Sequence, residues 1–189
     1  MDSGYVYLVG AGPGDPSLIT VRGMELLQQA DVIVYDRLVH PDLLCQAREN
    51  ATLVYVGKRP GSHTLLQEEI NRIIVKHAAA GKQVVRLKGG DPGIFARVGE
   101  EAAYCAAHAI PYEIVPGVSA GLAAPLYAGI PLTHREKAAS VAIVTGHLCG
   151  RGSTVDWGEL AKQVDTLVIY MGVSNLSQIR RELLHNGHS

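Results

Sequence analysis

Residues 5–36 read YVYLV-GAGPGD-PSLITVRGMELLQQA-DVIVYD. An apolar run, a glycine-rich turn, a segment of helical period and a second apolar run ending in an acid make one strand–helix–strand unit. The alternation continues along the chain. Runs rich in Val, Ile and Tyr fall at 5–9, 32–35, 53–56, 84–87 and 112–115. Between them lie helix candidates at 17–29, 64–80 and 97–108. In the second of these, Leu66, Ile70, Ile73, Ile74 and His77 share one face, Thr64-x-x-Gln67 has the form of a capping box, and Gly81 stands where a C′ glycine belongs. Repeated βαβ units with right-handed crossovers imply an α/β fold with a parallel sheet.

After Pro131-Leu132-Thr133-His134 the pattern restarts. Strands are expected at 141–145 and 167–171, and helices at 157–163 and 175–185. The expected organisation is an N-terminal α/β domain at 1–133 and the start of a second α/β domain at 134–189. That second domain reads as incomplete, because two parallel strands leave an apolar edge open.

Composition narrows the class. The chain has 189 residues, 47% hydrophobic and 19% charged, with a formal net charge of −1. This is globular composition without the basic excess of a nucleic-acid binder. Cys45, Cys105 and Cys149 are widely spaced, which gives neither a disulfide framework nor a zinc site and suits a reducing cytoplasm. No basic leader opens the chain, and no apolar run reaches the length of a membrane span. His40, His63, His134 and His147 lack metal-ligand spacing, so no metal is expected.

In open α/β sheets ligands bind outside the carboxyl ends of the strands. The five segments there are Gly10-Ala11-Gly12-Pro13-Gly14-Asp15, Asp36-Arg37, Gly57-Lys58-Arg59-Pro60-Gly61, Lys88-Gly89-Gly90-Asp91-Pro92 and Pro116-Gly117-Val118-Ser119-Ala120-Gly121. The first is not the G-x-G-x-x-G of a dinucleotide fold. Pro13 interrupts it and removes an N–H that a pyrophosphate would use, so a ligand without phosphate fits better. Asp36 ends an apolar strand and can act as a base or orient a donor on the ligand; a local cap or a pair with Arg37 is the plainer alternative. Lys58 holds the matching place one strand over. Paired Gly89 and Gly90 let a flat ligand lie on main chain, and Asp91 can accept from an amine or a hydroxyl. Ser119 and Ala120 open a helix whose free N–H groups make a weak anion site.

The runs VGAGPGDPSLITVRG, ADVIVYDRLV, VGKRPG, QEEIN, VVRLKGGDP, VPGVSA, GIPLTHR and VTGH, in this order over almost the whole chain, resemble the class III tetrapyrrole methylases, and among them the uroporphyrinogen-III C-methyltransferases. The resemblance implies two α/β domains, usually in a homodimer, with S-adenosylmethionine as methyl donor. It implies cofactor contacts at Pro13, Gly89, Gly90, Asp91, Ile94, Ser119, Ala120 and Met171. Asp36 matches the family's proposed proton acceptor and Lys58 its proposed proton donor. Two methyl groups would go to C2 and C7 of uroporphyrinogen III, giving precorrin-2 for sirohaem and cobalamin synthesis. The substrate carries eight carboxylates, for which Arg37, Arg59, His134 and Arg135, together with Lys58 and Lys88, supply a basic crevice. Three residues depart from the family's pattern after the GGDP turn: Gly93 replaces an aromatic, and Ala96 and Val98 replace glycines. Rival readings are another methylase of the same family, a nicotinamide-dependent oxidoreductase of the same pathway, and an inactive remnant.

Overall fold

A computed structural model describes residues 4–57, 65–146 and 156–186. The chain forms two compact units, 1–120 and 121–189. The division falls earlier than the expected linker at Pro131–His134. Segment 121–133 is tied to the β-strand at 166–170: the Gly121 N–H donates to the Tyr170 hydroxyl (2.6 Å), and the Thr166 hydroxyl donates to the Leu132 carbonyl (2.8 Å).

The first unit is a five-stranded sheet in the order β3-β2-β4-β1-β5, built from β1 (Tyr5–Gly10), β2 (Val32–Tyr35), β3 (Thr52–Tyr55), β4 (Gln83–Lys88) and β5 (Tyr112–Val115). Every pairing is parallel, as strand–helix alternation requires. Alternate side chains feed two cores. Val6, Leu8, Val32, Val34 and Val84 pack with Ile70, Ile74 and Ala78 of α3 (Gln67–Ala79) and Ala102 and Cys105 of α4 (Val98–Ala107). Val9, Ile33, Val85, Leu87 and Val115 pack with Leu26 and Leu27 of α1 (Val21–Gln29) and Leu43 of the short α2 (Pro41–Leu44). The interior strands β4 and β1 thus have helices on both faces, which explains the nearly continuous apolar run of β1 and the burial of β4 beyond Gln83.

Helix starts differ from expectation in two places. The segment after the first glycine turn is a 3₁₀ turn at Pro16–Leu18, and α1 begins only at Val21, because Thr20 caps it by accepting from the Gly23 N–H (3.0 Å). Helix α3 begins at Gln67; Thr64 lies outside the described residues. There the Glu69 carboxylate accepts from the Leu66 N–H (2.6 Å).

In the second unit, β6 (Val141–Thr145) and β7 (Thr166–Tyr170) form a parallel pair, with α5 (Ala120–Tyr127) leading in and α6 (Trp157–Gln163) and α7 (Leu176–His185) following the strands. Asp165 ties the start of this pair by accepting from the Ala139 N–H, the Ser140 N–H and the Ser140 hydroxyl. Among the described residues no helix is long and apolar enough to cross a membrane.

Two cysteines test the core. Cys45 is exposed and Cys105 is buried. Burial first, and the nearby Glu101 charge second, push the Cys105 thiol up to about 11. The folded state therefore keeps a proton that the unfolded chain releases near its ordinary value, so this group's contribution to stability is lost as pH rises from about 9 towards 11. Iodoacetamide at pH ~8 should alkylate Cys45 in the native protein and reach Cys105 only in denaturant, where thiolate and access both appear. Peptide mass spectrometry of the two digests checks this.

Candidate active site

The carboxyl ends of β1, β4 and β5 meet as main chain on main chain. A Cβ at Gly10 would sit 2.7 Å from the Gly117 Cα and from the Gly90 carbonyl oxygen, and one at Gly117 would sit 2.6 Å from that same oxygen. No other residue type fits at either position. The turns are also bonded. The Gly90 N–H donates to the Gly12 carbonyl (2.7 Å) and the Gly12 N–H donates to the Gly90 carbonyl (3.3 Å). Asp91 clamps the third turn: its Oδ2 accepts from the Gly117 N–H (2.9 Å) and its Oδ1 from the Gly93 N–H (2.7 Å). Ser119 is buried, its hydroxyl 3.3 Å from where a Cβ on Gly90 would stand. Pro13, Gly89, Gly90, Asp91, Ser119 and Ala120 are thus gathered along one edge, with Ile94 just beyond the Asp91 turn. The Asp91 carboxylate has a larger structural share than its place in the sequence indicates.

The Asp36 loop adjoins this cradle. A Cβ on Gly89 would lie 2.5 Å from the Leu38 Cβ, so the Gly89 turn and the Asp36 loop are packed together. Asp36 does not cap α2: His40 does, its Nδ1 accepting from the Asp42 N–H (3.3 Å). Instead, Asp36 Oδ1 accepts from the Leu38 N–H (3.0 Å), and Oδ2 accepts from Arg86 Nη2 (3.1 Å). Arg37 is exposed at the same edge. Lys58 and Arg59 lie outside the described residues.

Beneath the edge is a buried charge cluster that the motifs at the strand ends do not reveal. Val84, Arg86 and Lys88 point to the same face of β4, towards α4. Arg86 Nε donates to Glu101 Oε1 (3.1 Å) and Lys88 Nζ donates to Glu101 Oε2 (2.7 Å). The Glu101 side chain is 0% exposed and the Arg86 side chain 4%. Gln67 Nε2 adds donations to Glu101 Oε1 (3.2 Å) and Asn71 Oδ1 (2.9 Å). Lys88 was expected in a basic crevice. It is buried instead, because period-two alternation turns it under α4. Burial, and then the neighbouring Arg86 charge, hold its ammonium below the usual lysine range, against the pull of Glu101 and Asp36. The available signal was two charges on one face of an apolar strand, which demand a buried acid partner.

Two of the three departures after the GGDP turn, Ala96 and Val98, need no left-handed backbone. Positive φ occurs at Phe95 (51°) and Arg97 (58°), not at Ala96 or Val98, so the side chains replacing glycine carry no left-handed backbone. Arg97 instead grips Glu100 through Nε (2.7 Å) and Nη2 (2.6 Å).

The second unit has a parallel feature. Gly146 and Gly172 follow β6 and β7, and a Cβ on Gly146 would lie 2.6 Å from the Gly172 Cα. Met171, at φ 53° and half exposed, lines an apolar pocket with Ile169, Gly172, Val173, Leu176 and Ile179. His134 and Arg135 are exposed; His134 Nδ1 accepts from the Glu136 N–H (3.2 Å). Among the described residues no group of three or more His, Cys, Asp or Glu side chains could hold a metal ion.

The first unit's edge presents glycine main chain and one oriented carboxylate. The turn that would carry a dinucleotide's phosphates is instead closed on Gly90 by two main-chain bonds and interrupted by Pro13. That donor set fits a nucleoside ligand without phosphate. The class so defined is a two-unit α/β protein with a phosphate-free ligand edge. The chain belongs to the tetrapyrrole methylase family: Tetrapyrrole (Corrin/Porphyrin) Methylases match residues 5–188. It is 54% identical over 185 residues to a uroporphyrinogen-III C-methyltransferase of Bacillus subtilis, covering 97% of this chain and 72% of that one. It is 56% identical to the enzyme of the same name from Priestia megaterium, covering 97% and 78%. Among solved structures, uroporphyrin-III C-methyl transferase from Thermus thermophilus complexed with S-adenyl homocysteine aligns with a TM-score of 0.81 at 46% identity, over 98% of this chain and 74% of that one.

Asp91→Ala should leave the Gly93 and Gly117 N–H groups without their acceptor and cost roughly 1–3 kcal/mol. Gly117→Ala should be at least as damaging, because its Cβ meets backbone that cannot yield. Urea denaturation of both variants measures the loss.

Proposed function

We propose that this protein is an S-adenosylmethionine-dependent C-methyltransferase that methylates uroporphyrinogen III at C2 and C7 to give precorrin-2. The observation that carries this reading is the placement of Asp36 beside the Gly89-Gly90-Asp91 turn, on an edge whose first turn suits a ligand without phosphate. The identity to two uroporphyrinogen-III C-methyltransferases supports the substrate.

When bound, S-adenosylmethionine supplies an electrophilic methyl group on a sulfonium. Pro13, Gly89, Gly90, Asp91, Ile94, Ser119 and Ala120 hold the donor in this reading. The main-chain cradle cannot move easily, since Asp91 and the paired Gly12 and Gly90 lock it, and rigid alignment of donor and acceptor is worth roughly 7–11 kcal/mol at best. Arg37, Arg59, His134 and Arg135 take the substrate carboxylates. Asp36 faces the macrocycle. Its carboxylate, aimed by Leu38 and Arg86, accepts from the pyrrole N–H groups and takes up the proton released as the ring carbon gains its methyl group. Lys58 is the proton donor. We also assign the working form as a homodimer in the cytoplasm; light scattering tests the first part.

Methyl-labelled S-adenosylmethionine and uroporphyrinogen III should yield label in the macrocycle, two methyl groups per ring at completion. Absence of label from the ring would overturn the substrate assignment. Asp36→Asn should lower kcat by about 10²–10⁴-fold, the range for removing a general base. It should leave S-adenosylhomocysteine affinity within about two-fold by calorimetry, because the cradle is untouched.

A further inference from the structure

We infer that Arg86, itself held by Glu101, is a positioning residue for Asp36 in methyl transfer. The inference rests on the reading of Asp36 as proton acceptor. Three observations on adjacent strands carry it. First, the Arg86 guanidinium is fixed on all sides: Nη2 donates to Asp36 (3.1 Å), Nε to Glu101 (3.1 Å), and Nη1 to the carbonyls of Leu87 (2.9 Å) and Val34 (3.4 Å). A planar fork that spends every nitrogen this way has one orientation, and so does the carboxylate it grips.

Second, the cluster is expensive for a purely structural element. Apolar side chains would fill the same space under α4 without desolvating three charges. Of the four charged groups, only Asp36 reaches solvent, at 25% exposure, against 4% or less for Arg86, Lys88 and Glu101. The buried cluster therefore presents a single oriented carboxylate at the ligand edge.

Third, the charges close only with Asp36 included. Arg86 and Lys88 carry two positive charges, and Glu101 returns one. The remaining positive charge lies on the side of the cluster that Asp36 faces. Glu101 is the keystone: it fixes Arg86 from behind through Oε1 and takes Lys88 on Oε2, which leaves Arg86 free to bond Asp36.

The test is a double-variant cycle on the whole chain, with kcat, the KM for uroporphyrinogen III and the Kd for S-adenosylhomocysteine read separately. Arg86→Lys keeps the charge but cannot reach Asp36, Glu101 and two carbonyls together. It should lower kcat by about 10–100-fold while KM and Kd stay within about three-fold. In the Asp36→Asn background the same change should cost nothing further, because its effect passes through Asp36. Where Arg86→Lys does not fold, Glu101→Asp, which draws the keystone back by one methylene, should give the same pattern. Full kcat in a folded Arg86→Lys or Glu101→Asp protein would overturn the inference, and so would losses that multiply with Asp36→Asn. Full kcat in Asp36→Asn would instead overturn the reading on which the inference rests.

Discussion

The contact on which the site depends is the approach of Gly10, Gly90 and Gly117, with main chain against main chain at the ends of β1, β4 and β5. Three parallel strands can end this closely only where no Cβ intervenes. Once they do, the turns beyond them are forced into one row, and their hydrogen bonds have short reach to one another. Gly12 and Gly90 exchange both of theirs, and Asp91 spans the remaining gap to Gly117. The result is a stiff main-chain ledge. It presents few charges, and it suits a ligand recognised by shape and main-chain contact rather than by phosphate.

The second constraint lies behind the ledge. Arg86, Lys88 and Glu101 are buried under α4, where each ion alone would cost several kcal/mol. Mutual pairing and the Gln67 amide offset that cost. The ledge and the cluster share strand β4: its far end leads into Gly89 and Gly90, and its α4-facing side supplies the cations. A single strand therefore serves both the donor side and the Asp36 side of the proposed site, which couples their geometry.

Much of this is legible from residue pattern. Strands β2, β5 and β6 have the expected bounds, because each is a short strand-forming run set off at both ends by a polar or turn-forming residue. The glycine turns at the sheet edge are legible because glycine and proline announce backbone constraints. The misses have physical causes. Helix α1 begins late because Pro16 starts a tighter turn and the cap is Thr20. Lys88 reads as a crevice residue because a lysine beside a glycine turn is usually solvated; its partner is thirteen residues away in sequence, and only the packing of α4 brings them together. Arg86 is inconspicuous inside a strand. What Asp91 does for the backbone is also missed: both of its oxygens accept from turn N–H groups, through geometry that a turn motif does not encode.

The central claim is that the carboxyl edge of the five-stranded sheet is the donor's resting place. Amide NMR of isotope-labelled protein titrated with S-adenosylhomocysteine tests it most directly. The account predicts saturable shifts in the first unit clustered at Gly10–Gly14, Gly89–Ile94 and Gly117–Ala120. Shifts concentrated at the opposite ends of the strands, around Tyr5, Thr52 and Gln83, or no saturable shift at the glycine turns, would contradict it.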